Sequence, residues 1–588
     1  MSIVSLKRPL AMAMAGLFAA ANANAALVVN DQFEGSWYNP AQSGRGVLAD
    51  WVPTGVGQGV YFLAIFTYDN AGQPLWLTAQ VPLSDREFSK QNVDVFAFTG
   101  GRFGNTFPAT TGTVVGKLNF EALSCNRIKL DITPNTGAGG LNLPVANLDL
   151  QHIGAAPAGC AFTSEFTACP AGTTAFAGLA RACLLPQTIS GNLNLPNNAT
   201  YVISGKTQVG TGRNTGPGVL TIEPGTQLQG SGGAIDYLVV HAGSKIYANG
   251  TAAAPVVFTA PRDVPGDWAG LVIAGNAVNN GCVGGTPCAF EADTDVKFGG
   301  RDNPTPTGNL ISDNADSSGA LRYTQVRYAG KEIRPNEELN SVTLLGVGSG
   351  TVIDHVQVHA GKDDGFEMFG GAVNLRYVVG TAVEDDCLDF AEGYTGKIQF
   401  AYCKQTTTAS ADSNGLESDN KPNAFDLLPR TQPVVANATF VGASTGNEGL
   451  RLRRGSGGNF FNIVATGFAQ ECLNFNDNAT FTASGTAASP AASGLLTMRG
   501  SALGCTVNFE DSAAEPFLVS AWYRGQASNT DGAAAALGLS GRFPAANSIL
   551  LGTGVAVPND SFFETVNFKG AFDGAQNDWT KGWSYAVD

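Results

Sequence analysis

Hydrophobic positions in the last two-thirds of the chain fall in short runs separated by polar turns. Ala199–Ile203, Gly218–Thr226, Tyr237–His241, Ser244–Gly250 and Pro255–Ala260 are each a few residues long and rich in β-branched and aromatic side chains. Leu321–Tyr328, Ser341–Leu345, Thr351–Val358, Asn374–Val379 and Lys397–Tyr402 continue the pattern. Such runs, closed by turn pairs such as Pro224-Gly225, predict strands. Within them one unit recurs: an acid or amide, a small residue, an apolar residue, then a polar one. It reads Asp364-Gly365-Phe366-Glu367, Asp386-Cys387-Leu388-Asp389, Asn414-Gly415-Leu416-Glu417, Glu448-Gly449-Leu450-Arg451 and Glu471-Cys472-Leu473-Asn474. The steps between first positions are 22, 28, 34 and 23 residues. That period belongs to a solenoid whose coils stack and share one core. The expectation is a right-handed parallel β-helix over residues 187–588.

The first third alternates differently. Gly59–Tyr68 switches between apolar and polar positions, Asp69-Asn70-Ala71-Gly72 turns the chain, and Gln73–Leu77 returns it. Two strands about an Asx/Gly turn make a β-hairpin. Residues 26–154 are therefore expected to form a small antiparallel β barrel or sandwich. Trp37, Tyr38, Trp51, Tyr61, Tyr68 and Trp76 suit sugar stacking, but aromatics dominate small β cores and core is the expected use. The Trp-Tyr-Asn-Pro opening at Trp37–Pro40 and the Phe66–Trp76 hairpin resemble a small β domain of exported proteobacterial proteins. Residues 155–186, with three cysteines among Pro, Ala and Gly, read as a linker.

Composition sharpens the compartment. Lys7 and Arg8, an apolar Leu10–Ala21 and Ala23-Asn24-Ala25 form a Sec-type signal peptide over residues 1–25. Its apolar run is too short for a membrane anchor, and no later stretch is long enough to span a bilayer. No cysteine near the cleavage site calls for a lipid anchor. Localisation is expected at the outer-membrane surface, outside the cell or in the periplasm of a Gram-negative bacterium. Ten cysteines in an exported chain point to disulfides, and neighbour pairing proposes Cys125–Cys160, Cys169–Cys183, Cys282–Cys288, Cys387–Cys403 and Cys472–Cys505. The formal charge is −15, or −17 without Lys7 and Arg8, which excludes nucleic acid as a partner. Gly-x-Ser-x-Gly, P-loop and Rossmann patterns are absent. Four scattered histidines and no C-x₂-C pair leave no zinc site.

Leu220–Thr226, Asp267–Gly275, Ser318–Gly330, Glu338–Thr351, the Lys362–Gly371 block and Asp578–Trp583 together resemble a family of exported bacterial β-helix proteins. These are labelled uncharacterised proteins or lipoproteins, and sometimes misnamed multidrug transporters. The resemblance implies the fold and export. It implies no catalytic residues.

Side chains alternate across a strand. With Phe366, Leu388, Leu416, Leu450 and Leu473 pointing inward, Glu367, Asp389, Glu417, Arg451 and Asn474 line up outside on successive coils, about 4.8 Å apart. Stacked carboxylates relieve their repulsion by taking up protons or a cation, and calcium accepts such oxygens in loose geometry. Glu367, Asp389 and Glu417 are the candidate metal ligands. Asp363, Asp364, Asp385 and Asp386 stand beside them, and Arg451 is expected to close the row on Glu417. Three uses stay open: turns bonded to their own backbone, a structural calcium site, or a catalytic or substrate-binding acid cluster. His355 and His359, four apart in one strand with Asp354 adjacent, are expected to be a satisfied pair rather than a metal site. The function expected is a non-catalytic surface protein, acting as adhesin, polysaccharide or glycan binder, or envelope scaffold. The alternative is a calcium-dependent polysaccharide lyase or hydrolase, an analogy of fold.

Overall fold

The structure is a computed structural model. It describes residues 29, 33–55, 58–84, 87–100, 110–135, 145–154, 166–177, 179, 181–282, 286–300, 312–335, 337–491 and 494–588. The expected signal peptide and Cys160 lie outside the described residues.

Gly35–Tyr38, Gly46–Gly55, Gln58–Tyr68, Pro74–Ser84, Ser89–Thr99, Thr111–Ser124, Arg127–Pro134 and Ala146–His152 pair antiparallel in chain order. The first closes on the last through Trp37 opposite His152. The N-terminal domain is thus a closed barrel. Tyr61, Leu63 and Ile65 alternate inward and are fully buried, as period-two patterning demands. The aromatics divide by that parity. Trp37 and Tyr61 are core, whereas Trp76 faces out at 56% exposure, and Trp51 lies flat over the bare Cα of Gly59.

Beyond the barrel the chain winds into a parallel β-helix. Among the described residues one sheet carries eleven parallel strands, from Thr188–Ile189 through Val342–Leu345, Phe366–Phe369, Leu388–Ala391, Leu416–Ser418 and Leu450–Leu452 to Glu471–Phe475 and Val507–Phe509. Ala182–Leu184 already pairs in parallel with Thr200–Ile203, so the first coil takes in the end of the stretch that reads as linker.

The opposite wall begins as two strands per coil, merges into one, and divides again after Val434–Val441. Gly319–Arg327 pairs through its first half with Lys245–Asn249 and through its second with Val256–Thr259. It turns at Tyr323, whose φ is 44°. His355, Tyr377, Phe400, Asn437 and Asn462 repeat that left-handed bend on later coils. A side chain with a Cβ is strained there, and stacking offsets the strain. Tyr323, His355, Tyr377 and Phe400 follow one another at ring distances of 4.4, 4.4 and 4.9 Å. The two histidines are therefore used separately. His355 belongs to this stack, while half-buried His359 bonds Thr381 at 2.8 Å and packs on Tyr328 and Tyr585. Burial lowers its pKa to about 4.

The C-terminal segment folds back over this wall. Gln357 and Gln399 each hold a tail residue twice, through Tyr585 at 2.6 and 2.6 Å and Glu564 at 2.9 and 2.7 Å. Cys169–Cys183, Cys282–Cys288, Cys387–Cys403 and Cys472–Cys505 are disulfides. Among the described residues no helix is long and apolar enough to cross a membrane.

Candidate functional site

The expected outward row forms on the eleven-stranded sheet. Glu367 pairs in register with Asp389, Asp389 with Glu417, Glu417 with Arg451 and Arg451 with Asn474. Phe366, Leu388, Leu416, Leu450 and Leu473 are fully buried beneath them. Burying those apolar residues dictates where the polar ones point.

A second row stands at the strand entrances, and its chemistry is that of turns. The Asp386 amide donates to Asp364 Oδ1 at 3.0 Å, the Asn414 amide to Asp386 Oδ1 at 2.5 Å and the Glu448 amide to Asn414 Oδ1 at 3.2 Å. Each coil thus hangs its entrance on the side chain of the coil before. This uses one oxygen of Asp364 and one of Asp386.

Three overlapping triads of carboxylates have oxygens within 4.8 Å of one another: Asp363, Asp364 and Asp385; Asp364, Glu367 and Asp389; Asp386, Asp389 and Glu417. Glu367 accepts from the Asn340 amide. Asp389 Oδ1 is buried with no hydrogen-bond partner. Burial, and then the neighbouring carboxylates, push Asp364, Glu367, Asp386 and Asp389 well above the usual carboxylate range. The same causes raise Asp363 to about 7 and Asp385 to about 6.

The row ends on arginines, in a different arrangement from the one expected. Arg453 forms an ion pair with Glu417 and holds Asp419 at 2.7 Å. Arg451 lies 3.7 Å from Glu417 and bonds Asp412 at 2.7 Å. Arg453, two positions beyond Arg451 and just past the end of the strand Leu450–Leu452, reaches the same carboxylate and is the closer partner. Glu417 nonetheless sits at about 7, because burial outweighs the guanidinium.

The carboxylates of the three triads, with Arg453, face one cavity of about 670 Å³. Among the described residues eleven carboxylates line it: Asp363, Asp364, Asp385, Asp386, Asp389, Asp412, Glu367 and Glu417 from the coils, Glu291 from an insertion between Ala274 and the wall strand Gly319–Arg327, and Glu332 and Glu338 from a second insertion between that strand and Val342. Among the described residues only Lys331, Lys362 and Arg453 oppose them. The insertions' residues carry no period, and no sequence signal places them here. Arg453 had one: it follows Arg451 at the two-residue spacing of the row's outward positions, just past the strand's end.

The donor set suits a hard divalent cation. Every ligand candidate is a carboxylate oxygen, three such groups converge at each position, and Asp389 offers an oxygen that nothing in the protein satisfies. Asp364, Glu367 and Asp389 are the residues that would hold it, being the triad that includes the unsatisfied Asp389 oxygen and, among the described residues, makes no ion pair with an arginine, whereas Glu417 of the next triad is paired with Arg453. A family model described as a pectate-lyase-like β-helix domain matches residues 187–533. No curated protein and no solved structure matches the chain.

Proposed function

The chain belongs to the pectate-lyase-like β-helix domain family, and from that premise we propose an exported, non-catalytic envelope or extracellular protein whose cavity takes up calcium and holds an acidic glycan through it. One observation carries this reading: among the described residues, eleven carboxylates stand against three cationic side chains around a single cavity. An anionic sugar cannot approach such a cavity unaided, since like charges at close range repel strongly at low dielectric. Bound calcium supplies positive charge and open oxygen-accepting positions that a uronate carboxylate can complete. Asp364, Glu367 and Asp389 hold the ion, and Arg453, pinned by Glu417 and Asp419, supplies fixed positive charge at the C-terminal end of the row.

A second reading is a calcium-dependent lyase or hydrolase. Lys331 and Arg453 line the same cavity as the carboxylates, which brings basic groups to where a uronate would lie. The test is one panel of acidic and neutral polysaccharides, with calcium and with chelator. Binding is followed by calorimetry, and cleavage by new reducing ends and unsaturated-uronate absorbance. Calcium-dependent binding without cleavage is the expected outcome. Cleavage that disappears in Glu367→Gln moves the assignment to the enzyme. Neither binding nor a calcium effect removes both readings.

A further inference from the structure

Resting on the glycan reading, we propose that the cavity accepts the end of an acidic chain, or a short oligosaccharide, and excludes internal stretches. The row of Glu367, Asp389 and Glu417 spans two coil steps, roughly 10 Å, and is shut beyond both ends. Toward the N-terminal coils it continues as Thr343, Val272 and Val239. These face outward from the sheet, yet all three are fully buried. The two insertions flanking Gly319–Arg327 cover them: Phe290, Val296 and Phe298 from the first and Leu339 from the second form one buried cluster with Val239, Val272 and Leu345. Glu291, Lys331 and Glu338 are the edge of that cover seen from the cavity.

Toward the C-terminal coils Arg451 spans from Asp412 at 2.7 Å to Asn476 at 3.3 Å. Asn474, next in the row, is 5% exposed and donates to Glu448 at 2.7 Å. A third wall runs along the strand exits. There the first insertion's Asn279 bonds Phe369 at 3.0 Å and Glu392 at 2.7 Å, and Asn280 bonds Asn420 at 2.8 Å and Pro429 at 2.9 Å. The remaining mouth lies on the side of Lys362, Asp385 and Asp412. A polymer lying along the solenoid needs two openings on its axis, and the described residues close both. A chain end needs one.

The experiment is calorimetric titration of the full-length mature protein, in calcium, with oligogalacturonates of graded length and with long polygalacturonate. If the cavity binds ends, half-saturation is constant when counted in chain ends, and affinity counted per sugar residue falls in proportion to chain length. Blocking the productive end then abolishes binding of short and long chains alike. Half-saturation that is constant per sugar residue, and survives blocking of both ends, overturns the chain-end inference while leaving the glycan reading in place. No calcium-dependent binding at any length overturns the glycan reading itself.

Discussion

At the scale of single residues the carboxylates divide their oxygens between two tasks. Asp364 and Asp386 each give Oδ1 to a backbone amide of the next coil, so turn chemistry and ion binding use the same side chains and are not rivals. Asp389 gives nothing to the backbone and has an oxygen with no partner. Without cation, Asp389→Asn removes repulsion, and we expect it to stabilise the protein at pH 8 by about 1–3 kcal/mol while abolishing the rise in melting temperature that calcium brings. Thermal melts with calcium and with chelator decide this, and a destabilised variant in chelator would refute it. The raised groups also set the pH dependence. Asp363 and Glu417 at about 7 and Asp385 at about 6 bind protons in the folded state that the unfolded chain releases near pH 4. Their contribution is complete below about pH 4 and is lost as pH rises through 6 and 7. In chelator the melting temperature should therefore fall from pH 5 to pH 8. Calcium, which competes with those protons, should flatten the fall.

At the scale of elements, the cleft sheet and the bent wall do different work. Leu388 is fully buried between Phe366 and Leu416 in register, so Leu388→Ala should cost about 2–5 kcal/mol and weaken calcium uptake with it, because Asp389 is the next residue. The tail on the far wall is independent of the cavity. Replacing Gln357 and Gln399 by alanine removes the paired bonds to Tyr585 and Glu564, each worth about 0.5–1.5 kcal/mol. Limited proteolysis should then cut the C-terminal segment faster, with calcium titration unchanged. A loss of calcium binding in that variant would show that the two walls are linked. The repeat unit made the strands of the cleft sheet legible, since its apolar position recurs with the coil. The bends were not legible. Tyr323, His355, Tyr377 and Phe400 adopt a left-handed conformation that their residue types disfavour, and only stacking against neighbouring coils permits it.

At the scale of the whole molecule the barrel and the solenoid have separate main cores. The barrel's buried residues, Val29 to Leu150, form one cluster and the solenoid's, Cys183 to Tyr523, another. Calorimetry of the intact chain should show two transitions, of which calcium raises only one. A single transition that moves as a unit with calcium would contradict this.

By itself, the sequence determined the all-β architecture, the coil period and the outward row Glu367, Asp389, Glu417, Arg451, Asn474. Each follows from local alternation plus the need to bury one apolar residue per coil, and both are written in residues close together in the chain. Cys169–Cys183 and Cys282–Cys288, the short-range pairs, were legible for the same reason. The tertiary structure alone decided that the row lies in a walled cavity. It brought Glu291 and Glu338 across from non-repeating insertions and gave Glu417 to Arg453. It also placed Trp76 on the barrel's outside. Those outcomes depend on which distant segments pack over the sheet and which parity a strand adopts in a closed barrel, and neither is encoded in local pattern.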